Sequence, residues 1–232
     1  MLTEVLALDL PGSGNAADFG FLAGPGSPGR LTRIDPLVAQ VAGPLDLERQ
    51  ADELLKEQPE RPGVVLAYCA GATFAVHLAE RAGARAVLVD PYPITTDVIH
   101  FELTKLCRTL ACDAPAYEAF AAGDLAQWEM VLNKTRDGLV GQYGGDEAAI
   151  EMVDGLLDRY RSWLRFLTAC SAARPADTDR TLVITGKPLS GLDALLADPA
   201  GATVRHVDAP TEPLASPQVR SLLSAAIDAA AA

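Results

Sequence analysis

The chain has 232 residues, enough for one sizeable domain, and its 49% hydrophobic content excludes wholesale disorder. A formal charge of −12, from 31 acidic against 19 basic residues, speaks against nucleic acid and membrane as partners, since both call for clustered Lys and Arg. Four cysteines and three histidines show no zinc spacing, so neither a metal nor a cofactor is expected.

An apolar strand over residues 4–10 opens the chain and stops at Pro11-Gly12-Ser13-Gly14. The residues before it lack the basic region and long apolar core of a signal peptide, and no apolar run reaches bilayer length. The reading is therefore a soluble, cytoplasmic protein. The Gly-rich turn lacks the Lys of a P-loop, so it reads as a plain strand-to-loop turn or a close backbone approach to a ligand. Residues 20–30 are rich in Gly and Pro and predict an irregular loop. A second strand is expected over 31–38, interrupted by Pro36. Asp46 then caps a helix carrying Leu47, Ala51, Leu54 and Leu55 at helical spacing, which Pro59 and Pro62 end.

Val64 to Ala67 is a short apolar run that suits a strand buried on both faces. A helix over 70–82 follows at once, with Ala72, Ala75, Val76 and Ala79 on its apolar face and Gly83 as its cap. The next strand, 86–89, ends at Asp90. Residues 95–173 lose the strand signal and repeat Leu and aromatic residues at helical intervals, broken over 138–145. Beyond a polar linker come a strand over 181–185, a short helix over 189–196, a strand over 202–207 and a closing helix over 219–230. Short apolar strands alternating with amphipathic helices predict an α/β fold, a mostly parallel sheet with helices on both faces. The whole chain reads as one domain, with 95–173 as a helical insertion that serves as a lid or simply packs.

Chemistry concentrates at Ala67-Tyr68-Cys69-Ala70-Gly71. A thiol between a buried strand and a helix start needs small neighbours two positions away, here Ala67 and Gly71, because large side chains would clash in the tight turn. Cys69 is the candidate nucleophile. The Ala70 amide, and the Leu10 amide from the loop after the first strand, are candidate oxyanion donors. The helix N-terminus is expected to lower the thiol pKa. The plainer reading of Cys69 is a small buried hydrophobe.

These five residues resemble the Gly-x-Ser-x-Gly elbow of α/β-hydrolases, with Ala for the first Gly and Cys for Ser. Val87-Leu88-Val89-Asp90-Pro91-Tyr92 is similar to the strand presenting the acidic triad member in thioesterases of polyketide and nonribosomal peptide synthesis, which also insert a helical lid after it. The resemblance implies an enzyme acting on an acyl thioester held on the phosphopantetheine of an acyl or peptidyl carrier protein, with Asp90 in the acidic role. It also implies a His in the loop before the closing helix, where this sequence has Thr211. Of the histidines present, His206 falls within a strand and His77 well along the elbow helix. His100 starts the lid and could fold toward the site.

A Ser hydroxyl is nearly inert without a base, whereas a Cys is already partly thiolate near neutral pH. Cys69 can therefore take an acyl group without a His, while release by water lacks general-base help worth ~10²–10⁴-fold. Two other readings stand beside acyl transfer through Cys69. In one, Asp90 and lid residues catalyse cyclisation, dehydration or isomerisation of a small biosynthetic intermediate. In the other, the fold is a non-catalytic binding relic.

Overall fold

The computed structural model describes residues 2–10, 18–24, 26–37, 46–109, 125–208 and 212–231 (for 125–128 and 231, the backbone alone). Six strands form one sheet: β1 (Thr3–Leu8), β2 (Gly29–Ile34), β3 (Val64–Tyr68), β4 (Arg85–Val89), β5 (Thr181–Thr185) and β6 (Thr203–His206), in the order β2-β1-β3-β4-β5-β6. Every pairing is parallel. The helices are α1 (Leu47–Glu57), α2 (Ala72–Ala82), α3 (Thr96–Thr109), α4 (Leu125–Gln142), α5 (Glu147–Ala172) and α6 (Pro217–Ala231).

Strand β3 lies at the centre because its residues Val64 to Ala67 are all apolar and fully buried, which only a strand covered on both faces can satisfy. Alternation then divides the sheet. Val5, Ala7, Val64, Leu66, Val87 and Val89 join Val219, Leu223 and Ile227 of α6 in one apolar cluster. Those three α6 residues, spaced four apart, are fully buried, and each stabilises the fold by roughly 1.5–3 kcal/mol. Ala67 and Leu8 face the opposite side, toward the start of α2. The buried face of α2 mixes small residues, Ala72, Ala75 and Ala79, with the larger Phe74, Val76 and Leu78.

Local signals explain the element ends. The Asp46 carboxylate accepts from the Glu48 and Arg49 amides and caps α1. Gly83 ends α2 in the left-handed conformation, φ 64°. Three expectations differ from the structure. β2 starts at Gly29, ahead of the expected Leu31. The expected helix over 189–196 is only a 3-10 turn, Leu192–Ala194. Gly138 and Gly141 lie inside α4, and the break comes later, where Gly144 and Gly145 take φ 95° and 69°.

The chain divides into two compact units. One holds the sheet, α1, α2 and α6; the other holds 94–172. Within the helical unit, α5 packs on both α3 and α4, burying Val153, Leu157, Leu164 and Leu167. Arg136 pairs with Asp154 at 2.5 Å and Arg161 with Glu129 at 3.0 Å, tying α4 to α5. Among the described residues, no helix is long and apolar enough to cross a membrane.

Candidate active site

The site is built where β3, β4 and β5 end. Register pairs Tyr68 with Val89 and Val89 with Ile184, so Cys69, Asp90 and Thr185, each one residue further on, lie side by side at the carboxyl edge. Cys69 has φ 58° and Asp90 φ 43°; they are the non-glycine residues with positive φ among the described residues. An L-residue pays for that conformation with Cβ crowding, and such outliers persist where the surroundings over-determine them. At Cys69 the cause is direct: β3 stops at Tyr68 and a 3-10 turn, Cys69–Gly71, leads straight into α2.

Gly71 has an ordinary helical φ of −68°, so its small size serves packing. A methyl there would already touch Ala67 Cβ at 3.4 Å, with Leu8 Cβ at 3.9 Å and Leu10 Cδ1 at 4.0 Å. Any larger side chain would push the helix off the strand. Leu10 thus sits against the turn from the end of β1.

The Cys69 sulfur is half-buried. Burial pushes its thiol pKa above the ordinary value, which corrects the expectation of a lowered one. Donors at the turn work against that rise without overcoming it: the Ala70 N–H, the Tyr92 hydroxyl and the positive charge of Lys187. The charge of Asp90 adds to it.

Asp90 is buried and fully engaged. Its Oδ1 accepts from the Thr185 hydroxyl at 2.9 Å and the Gly186 N–H at 3.0 Å. Its Oδ2 lies 3.5 Å from Nζ of Lys187. The Lys187 N–H in turn donates to the Thr185 hydroxyl at 3.0 Å, so the loop after β5 is wrapped onto the carboxylate. Gly191 (φ 75°) presses that loop against the one following Asp90: a Cβ at 191 would fall 2.6 Å from Pro93 Cγ.

The histidines fall in separate places. His77 is buried on α2, its Nε2 3.1 Å from the Arg174 carbonyl and its Nδ1 3.7 Å from Glu80. Burial lowers its pKa. His206 is exposed at the end of β6, paired with Thr185 in register. His100 is half-buried on α3 of the helical unit. Thr211, the turn over 11–14 and Cys112 lie outside the described residues. Cys107 and Cys170 are buried thiols on α3 and α5. Among the described residues, no group of His, Cys, Asp and Glu could hold a metal ion.

Sequence reasoning thus named Cys69, Ala70, Leu10 and Asp90, which come together at one edge, and missed Tyr92, Thr185 and Lys187. The available signal was positional: Tyr92 follows β4, the neighbour of the elbow strand, and Thr185 and Lys187 end and follow β5, the strand beyond it. In an open parallel sheet, ligands bind outside those carboxyl ends.

The chain belongs to the Alpha/beta hydrolase family, which matches residues 2–223. Among solved structures it is similar to the NocB thioesterase domain in covalent complex with a fluorophosphonate nocardicin G analog, with TM-score 0.52 and 17% identity over 100% of this chain and 95% of that one. It is also similar to the RedJ thioesterase of the prodiginine pathway in Streptomyces coelicolor, with TM-score 0.47 and 14% identity over 98% and 85%. At these identities the likeness concerns the fold. No curated protein matches the sequence.

Proposed function

We propose that this α/β-hydrolase is a thioesterase-like acyl-transfer enzyme that takes an acyl group from a carrier-bound phosphopantetheine thioester onto Cys69. The observation that carries the reading is the strained backbone of Cys69, φ 58°, between a buried strand and a helix. Packing alone does not call for such strain. The similar fold of the NocB thioesterase domain supports the thioesterase-like part of the reading.

In this reading the thiol first loses its proton to solvent. The thiolate adds to the thioester carbonyl, and the oxyanion is held by the Ala70 and Leu10 amides. The carbon–sulfur bond to pantetheine breaks, the pantetheine thiolate leaves and takes up a proton, and an acyl-S-Cys69 thioester remains. Its energy is close to that of the starting thioester, so the acyl group stays activated. An amine, thiol or carbon nucleophile then adds to the acyl carbon and expels Cys69. Water is the weaker acceptor, because Asp90 is occupied by three donors and neither His77 nor His206 is among the partners of the sulfur.

Thiol release from acyl-pantetheine thioesters, with and without an added amine, tests the proposal. The reading predicts release that an amine accelerates and that Cys69→Ala abolishes. Unchanged release by Cys69→Ala would overturn it and favour chemistry at the same pocket without a covalent step.

A further inference from the structure

We propose that Lys187 fills the place next to the elbow nucleophile and its acidic neighbour that an imidazole takes in a nucleophile–base pair, and that its ammonium is the charge that holds the Cys69 thiolate. The inference rests on Cys69 being the reacting group. It deepens that reading by naming the positive charge that favours the thiolate, beside the Ala70 N–H and the Tyr92 hydroxyl.

The geometry is that of a built arrangement. An exposed lysine head would ordinarily sample many positions, since its stem loses substantial rotamer entropy when fixed. Here the side chain of Lys187 is 70% exposed, yet its Nζ stands 3.5 Å from a carboxylate that is itself 3% exposed. That carboxylate is oriented by two further donors, Thr185 and Gly186, which load Oδ1 and leave Oδ2 to face Nζ. Thr185 also fixes the lysine at its root, accepting the Lys187 N–H at 3.0 Å. A surface ion pair between mobile side chains is worth little. This one is anchored at both the backbone and the carboxylate, two strands from the thiol.

Among the described residues, charged and polar groups from three elements act on the Cys69 sulfur. From its own turn comes the Ala70 N–H, from the β4 loop the Tyr92 hydroxyl and Asp90, and from the β5 loop Lys187. Asp90 disfavours the thiolate, so a site built from Cys and Asp alone would suppress its own nucleophile. Lys187 supplies the opposite charge to both. Asp90 is then a positioning residue, and Lys187 acts electrostatically without accepting a proton. That separation fits acyl transfer better than hydrolysis, since a fixed positive charge favours a thiolate but takes no proton from water.

The test is the pH profile of iodoacetamide alkylation at Cys69, resolved by peptide mapping on the full chain. Wild type is compared with Lys187→Met and Lys187→Arg. The exposed side chain lets both variants fold, which a thermal melt checks. The expected result for Lys187→Met is alkylation about 3- to 10-fold slower near neutral pH, with the profile moved to higher pH; Lys187→Arg restores most of the rate. Superimposable profiles for wild type and Lys187→Met would overturn the inference, as would failure of Lys187→Arg to rescue. A Lys187-dependent profile with no acyl uptake from thioesters keeps the lysine inference and sinks acyl transfer. Acyl uptake with an unshifted profile does the reverse.

Discussion

Cys69 and Asp90 each follow one member of a paired couple, Tyr68 and Val89, on neighbouring strands, and both carry positive φ, 58° and 43°. Two adjacent strands thus end in the same unusual conformation, and the nucleophile and the acidic side chain emerge next to each other. Glycine adopts this conformation without Cβ crowding. Here a thiol and a carboxylate occupy it.

The strain at Cys69 makes a signed prediction. In a regular element, Gly is less stable than Ala by about 0.5–1 kcal/mol. At position 69 the order reverses: Cys69→Gly should be more stable than Cys69→Ala by about 1 kcal/mol, because only Ala keeps the Cβ penalty. Urea unfolding of the two variants measures it. An Ala variant as stable as Gly or more so would remove strain from the argument.

Gly191 makes a second prediction, read against Gly83. Both have positive φ, 75° and 64°, but a Cβ at 191 meets Pro93 Cγ at 2.6 Å, whereas one at 83 meets nothing within 4 Å. Gly83→Ala should cost about 1 kcal/mol from backbone strain alone. Gly191→Ala should cost about 2 kcal/mol or more, adding overpacking to the same strain. It should also slow Cys69 alkylation, since the displaced loop carries Lys187. Equal losses at the two glycines would show that the contact with Pro93 is unimportant.

His77 sets a pH dependence of stability. Burial lowers its pKa in the folded protein below the ordinary value, about 6.5, that it regains on unfolding. Below that value the unfolded chain binds the proton first. The contribution of His77 is therefore intact above about 6.5 and is lost as pH falls toward the lowered folded value, at a slope of at most about 1.4 kcal/mol per pH unit. Wild type should lose stability faster than His77→Gln over that acidic window. Parallel curves would contradict the assignment.

Much of this was legible in the sequence, for identifiable reasons. The β3 run is continuously apolar, Asp46 is a strong cap and Gly83 a strong stop, so the strand–helix alternation can be read directly. The elbow was legible because Ala67, Cys69 and Gly71 have the sizes a tight turn requires. The partners of Asp90 were not, because Thr185 and Lys187 lie 95 and 97 positions further along, and only the β4–β5 register brings them together. Nor was the direction of the thiol pKa: helix-terminus potential can be inferred from local order, but burial depends on the finished packing.

The most direct measurement is intact mass, followed by peptide mapping, of the full chain after brief exposure to an acyl-pantetheine thioester. The account predicts one added acyl mass on Cys69, absent from Cys69→Ala and removed faster by an amine than by water. Thioester turnover with Cys69 unmodified, or an acyl group mapped to another residue, would contradict it.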